Sequence, residues 1–198
     1  MLRRCRRCQH AQKQAEEILV NGSRRLLAAE EEVGVGHHIC VSIIGCEKVP
    51  FKYYRVKMEQ ERVIEHGKVP YTIVRATQFH EYIAAMLVQA GRLKMLPLPH
   101  MPLQTVAVSE VAQTVANAAE ATPRKGRIEI AGPEIIDALE LARIWRTVTT
   151  GTRGLLLPIP LFGNIKRKLR AGALTANRPD IRGKLRFSEC AKEKERYR

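Results

Sequence analysis

Apolar positions along the chain switch repeatedly between a helical and a strand-like period. Ile18, Leu19, Leu26 and Leu27 recur with a 3.6-residue period, with charges opposite, which predicts an amphipathic helix from about residue 15. Asn21-Gly22 weakens its middle and Gly34 supplies a stop. Residues 38–45 form a near-continuous apolar run rich in β-branched side chains, the pattern of a strand covered on both faces. Pro50 and Gly67 then bracket a second helix. Residues 71–75 predict a second buried strand, and a helix follows over about 79–90. Residues 96–102 carry three prolines and read as a stiff, non-helical connector, with a short strand expected at 103–108. Ser109 is placed to cap an Ala/Val-rich helix ending near Pro123. Residues 127–130 form a third core strand, closed by Gly132-Pro133. Asp137 and Glu140 open a helix running to about Val148 in the manner of a capping box. Beyond Thr150 the pattern gives a Pro-containing apolar loop, a short basic helix near 162–171 and a polar tail. Strands alternating with helices predict an α/β fold, a parallel sheet with helices on its faces.

The 198 residues suit one domain with an appendage, and a hydrophobic content of 45% excludes a wholly disordered chain. The net charge of +14 is unevenly placed: residues 1–15 carry +5, residues 153–198 carry +9, and the stretch between is neutral. This argues against a basic face built into the fold. The basic ends read either as solvated tails or as weak, salt-dependent contacts to phosphate. Nucleic-acid signatures are missing, so no specific nucleic acid is expected. The longest apolar run, 154–163, is shorter than the ~20 residues of a spanning helix, and no membrane partner is expected. The basic start at Met1 lacks an apolar segment behind it, which argues against secretion. Five cysteines, an odd number, suit a reducing, cytoplasmic location. Cys5 and Cys8 form a CxxC near His10, but a zinc site needs a second pair and none exists, so no metal is expected.

In open parallel sheets, ligands bind past the carboxyl ends of the strands. There the chain places Ser42 after the first strand and Ala76, Thr77, Gln78 and Phe79 after the second. Tyr53 and Lys57, on the connecting helix, stand four residues apart and so share a face. A free phenol titrates near 10, and a cation beside it lowers that value, so Lys57 would suit Tyr53 to acid–base work. With Ser42 as a hydrogen-bond donor, the set fits carbonyl reduction or alcohol oxidation. Tyr54 lacks such help and reads as a packing aromatic. The spacing Tyr-x-x-x-Lys taken alone also fits an ordinary solvated helix face.

The ordered set Val41-Ser42-Ile43-Ile44-Gly45, Tyr53-Tyr54-Arg55-Val56-Lys57 and Val74-Arg75-Ala76-Thr77-Gln78-Phe79-His80, continued by Val106 to Ala112, Ile130 to Glu134 and Arg170 to Leu174, resembles the NmrA-like branch of the atypical short-chain dehydrogenase/reductases. The resemblance spans about residues 18–187. Residues 1–14, which show no apolar periodicity, read as a disordered basic N-terminus; the resemblance implies a partial Rossmann-type NAD(P)-binding domain (15–150) and a C-terminal substrate-side segment with a basic tail (151–198). It implies catalytic roles for Ser42, Tyr53 and Lys57, with Lys57 also touching the nicotinamide ribose, and a nicotinamide-lining loop from Ala76 through Thr77 and Gln78 to Phe79. The cofactor would be NAD or NADP. The departure from the family is large: no Gly-rich strand–turn–helix for the pyrophosphate occurs, and Gly34-Val35-Gly36 lies between a helix and a strand. The chain is expected to lack the family's first three strands. A homo-oligomer or a partner protein would then cover an exposed sheet edge. The functions implied are an NAD(P)H-dependent oxidoreductase acting on a small molecule, an inactive descendant of one, or a non-catalytic NAD(P)-sensing or protein-interaction module. The substrate pocket would come from the connector at 96–103 and the loop at 155–162.

Overall fold

The computed structural model describes residues 12–92, 95–148 and 155–196. The CxxC near the start, most of the expected disordered terminus and part of the loop after Thr150 lie outside them. A π-helical turn at Glu17–Asn21, ending where Asn21-Gly22 weakens the helix, leads into α1 (Gly22–Glu32). Gly34 stops the helix at a φ of 72°. In chain order there follow β1 (His38–Ile43), α2 (Lys52–Glu65), β2 (Tyr71–Ala76), α3 (His80–Arg92), β3 (Met95–Pro99), β4 (Pro102–Leu103), α4 (Val108–Glu120), β5 (Gly126–Ala131), β6 (Ile136–Asp137), α5 (Ala138–Val148), β7 (Leu155–Ile159), α6 (Gly163–Arg170), β8 (Ile181–Arg182) and α7 (Phe187–Arg196).

The main sheet is parallel, in the order β1-β2-β5-β8, with Ser42 beside Arg75 and Ala76 beside Ile130. Side-chain alternation divides its two faces. Cys40 and Ile73 pack under α1 and α2 with Leu27 and Ile64, while Val74, Ala76 and Ile130 pack under α4 with Val111 and Ala118. Among the described residues β1 pairs only with β2. The amides of His38 and Ile44 bond to Pro70 and Ala76 across that pairing. The alternating residues Ile39, Val41 and Ile43 therefore turn their backbone groups to the outer edge.

A second core joins α3, α5, α7 and β3 around Leu87, Leu96, Leu141, Trp145 and Phe187. Several expectations change here. The Pro-rich connector begins as a strand, β3, paired in parallel with β7, and β7 in turn replaces part of the expected loop. A two-stranded ribbon pairs each strand on one side only, so prolines sit in it without breaking a ladder bond. The strand expected at 103–108 shrinks to β4, paired antiparallel with β6, and a single Phe79–Val106 bridge. The tail is structured, supplying β8 and α7, with Phe187 buried. Ser109 does not cap α4: the helix starts at Val108, whose amide donates to Glu81 Oε2 of α3 at 3.1 Å. Asp137 does cap α5, its Oδ1 accepting from the Leu139 amide at 3.0 Å. No helix among the described residues is long and apolar enough to cross a membrane.

Candidate active site

The turn after β1 is shaped by Gly45, at a φ of 78°; a Cβ there would lie 1.9 Å from the Ala173 carbonyl oxygen. That approach closes the segment 171–177 over the carboxyl end of the sheet. Ala176 donates its amide to Gln104 Oε1, whose amide nitrogen donates to the Gly132 carbonyl.

α2 buries Val56, Lys57, Gln60, Glu61 and Ile64 along one stripe, three of them polar. The Lys57 ammonium, 6% exposed, donates to the Val41 carbonyl at 2.7 Å and to Gln60 Oε1. Gln60 donates in turn to Ser23 Oγ at 3.0 Å. Lys57 thus satisfies an outward-facing carbonyl of the open sheet edge, which would otherwise lack a partner.

Ser42 lies on the same face, 2% exposed, beside the Glu61 carboxylate, which it helps to hold ionised without a hydrogen bond of good geometry. Glu61 is the centre of a buried network. Arg75 grips it with two bonds, 2.9 and 2.6 Å, and Arg127 adds a third at 3.2 Å. Burial opposes the charge on Glu61, but these partners hold its carboxyl below the usual range. Arg75 also meets Glu47 at 3.1 Å, and Arg127 reaches Glu65 at 2.5 Å. Cys46 lies 4.0 Å from Glu61 and 3.7 Å from Glu47; burial, against the pull of Arg75, pushes its thiol up to about 11. The sequence reading missed this network. Its signal was Glu61 on the same stripe as Lys57, one turn further along.

Tyr53 is 50% exposed. The expected lowering of its pKa by Lys57 is not found. Burial, and then the neighbouring Tyr82, push the phenol up, while the Lys57 cation is turned to Val41 and Gln60. Tyr54 packs as expected: its ring meets Phe51 edge-on at 5.3 Å, and burial pushes its phenol up to about 12.

After β2, Ala76 is buried, and Thr77 is stitched to β5 through its amide to the Ile130 carbonyl and its hydroxyl to the Gly132 amide. Phe79 packs into the α4 side of the core. Gln78 donates to the Leu174 carbonyl at 3.4 Å, and its buried Oε1 accepts nothing. The structure therefore turns Lys57 to the Val41 carbonyl and Gln60, sets Ser42 beside Glu61, leaves Tyr53 half exposed, and absorbs Ala76, Thr77 and Phe79 into packing. A cleft of about 590 Å³ opens at this end of the sheet, with Gly45, Lys48, Glu129, Lys168, Thr175 and Asn177 in its wall. Neither this cleft nor one of equal volume between α1 and α2 is lined by any of the expected site residues. No metal-binding cluster occurs among the described residues.

No protein-family model matches the chain, and no curated protein matches it by sequence. Solved structures do. The chain has a Rossmann-like fold. An NADPH-dependent quinone oxidoreductase from Escherichia coli, complexed with NADPH, aligns over 88% of this chain and 71% of its own, at a TM-score of 0.71 and 14% identity. A UDP-glucose 4-epimerase from Thermotoga maritima, with UDP-glucose, aligns over 94% and 71% at 0.68 and 16% identity. A triphenylmethane reductase from Citrobacter, complexed with NADP(H), aligns over 91% and 61% at 0.60 and 16% identity. At such identities the likeness is one of fold, and function rests on the site.

Proposed function

We propose that this chain is an NmrA-like, NAD(P)H-linked oxidoreductase that reduces a carbonyl, or oxidises an alcohol, of a small molecule. The observation that supports the reading is the buried Lys57 ammonium on the Val41 carbonyl at the end of β1, with the buried Ser42 as the next residue of that strand and the half-exposed Tyr53 one helical turn before Lys57. The nicotinamide end of a dinucleotide fits these residues: Lys57 makes two described bonds and keeps a third donor, and Ser42 and Gln78 each hold a buried polar atom without a partner. The pyrophosphate does not fit, because no Gly-rich strand–turn–helix is present in the sequence to cradle it. Dinucleotide affinity is accordingly expected to be weak.

Reduction of a carbonyl takes a hydride at carbon and a proton at oxygen. The dinucleotide would supply the first; Tyr53 Oη–H, the phenol that solvent and substrate can reach, would supply the second. Its raised pKa keeps it protonated through the neutral range, so reduction should stay level with pH until the phenol titrates, above its ordinary value near 10. The same raised pKa, with no cation turned to the phenol, favours a second reading: a non-catalytic NAD(P)-sensing module. In either case a second copy or a partner protein would lie along the outer edge of β1.

Following NADPH fluorescence during titration, and NADPH oxidation against a panel of carbonyl compounds, tests both. Tyr53→Phe should lower turnover by ~10²–10⁴-fold and Tyr54→Phe should be nearly silent. A Tyr53→Phe protein within about threefold of the parent would end the catalytic assignment, given the usual size of acid–base effects. Saturable NADPH binding with no turnover of any carbonyl would establish the sensing module.

A further inference from the structure

We infer that this protein docks on anionic lipid bilayers, without crossing them, through the outer face of the β3–β7 ribbon together with α6. The parallel register fixes which side chains share that face. Met95 stands beside Leu155, Pro97 beside Leu157 and Pro99 beside Ile159. One face of the ribbon is thus apolar along its whole length. Leu96 and Leu156, on the alternate positions, turn into the second core. Met95, Leu155 and Ile159 are exposed, Leu155 at 63%. Phe162, at the N-cap of α6, is 78% exposed.

Four cations follow within the eight residues of α6: Lys166, Arg167, Lys168 and Arg170, with no acidic residue among them. None of the four makes an ion pair with a described carboxylate. Leu169 is buried and fixes the helix, so Arg167, Lys168 and Arg170 stay exposed, with Lys166 half-buried. Cationic and apolar groups meet in one place. Lys166 and Arg170, one turn apart, line a hollow of about 230 Å³ with residues 158–161 and His100. The nearby anion, Asp137, is engaged by His100 at 3.3 Å. Two cations beside protruding aliphatic and aromatic side chains match a phosphodiester headgroup lying over acyl chains.

Charge also selects among occupants. A second copy would set one α6 against another, like charge against like. A nucleic acid would use the cations and leave Met95, Leu155, Ile159 and Phe162 in water. The lack of a spanning helix bears on crossing a bilayer and is neutral about lying on one.

Co-sedimentation of the full chain with vesicles of phosphatidylcholine alone, and of phosphatidylcholine with phosphatidylserine, tests the inference. Binding is expected only with phosphatidylserine and should weaken with salt. Lys166→Glu with Arg170→Glu should lower affinity by at least roughly fivefold per cation removed. Phe162→Ser and Leu155→Ser should lower retention at physiological ionic strength while leaving the salt dependence. Leu155, Phe162 and Arg170 are exposed and Lys166 is half-buried, and far-UV melting curves check that the variants fold. Equal binding to both vesicles, no binding to either, or an unaltered double variant would overturn the inference. So would a dimer in light scattering that Leu155→Ser dissolves, which assigns the face to a second copy. Displacement by duplex DNA together with an unaffected Phe162→Ser protein would assign it to nucleic acid.

Discussion

Glu61 and Arg75 show how far a side chain's surroundings decide its role. Glu61 on α2 and Arg75 on β2 meet between helix and sheet, and each is the other's principal hydrogen-bond partner. Removing one member of a buried pair leaves the other charged and alone, which typically costs about 3–5 kcal/mol. Glu61→Gln should show a loss of that size in urea denaturation. Replacing both residues with apolar ones of similar volume should recover most of it, with Arg127 still held by Glu65. The pH dependence follows from the sign of the shift. The Glu61 carboxyl is lowered in the folded state, so its contribution is complete above the ordinary glutamate value of about 4.3 and is lost as pH falls through the folded value. Parent and Glu61→Gln proteins should therefore differ most above pH ~4.3 and converge in acid. At this scale the sequence was legible where spacing carries the message: Tyr53 and Lys57 do share a helix, and Tyr54 does pack. It was not legible where a third element decides. Nothing in Tyr-x-x-x-Lys reveals that the ammonium is drawn to Val41 and Gln60, or that Arg75 is matched to Glu61 across the sheet.

Strands β1, β2 and β5 and helices α2, α4 and α5 stand close to where apolar periodicity places them. Burial on two faces writes itself into consecutive residues. The ribbon β3–β7 was hidden because proline signals the end of a helix without distinguishing a coil from an edge strand. Strand β8 was hidden because two residues carry no period. The N-terminus of α4 was misread because its cap comes from Glu81, far away in sequence. The turn after β1 makes a sharper test. Gly34 and Gly45 have similar φ values, 72° and 78°, but open space surrounds the first and the Ala173 carbonyl faces the second. Gly34→Ala should cost only the ~1–2 kcal/mol of a left-handed residue. Gly45→Ala must also displace the segment 171–177, and limited proteolysis should find cleavage there that the Gly34 variant does not show.

Across the whole molecule, two cores share one chain. The first is the sheet with its covering helices; the second closes around Phe187, whose ring meets His80 at 5.6 Å and Trp145 at 6.1 Å. A lone phenylalanine among basic residues gave no periodic signal, so the tail read as solvated. Phe187→Ala should lower stability by about 3–5 kcal/mol, measured by chemical denaturation, a large effect for a segment of such polar composition. The Leu185 carbonyl accepts from His80 Nε2 across 105 residues of sequence. At ~5–20 residues per second, a ribosome delivers α7 roughly 5–20 s after it has delivered the start of α3. Throughout that interval the second core lacks Phe187, and α3 has only β3 and then α5 to cover its apolar side. Synthesis is therefore the stage at which this protein most needs a holding chaperone.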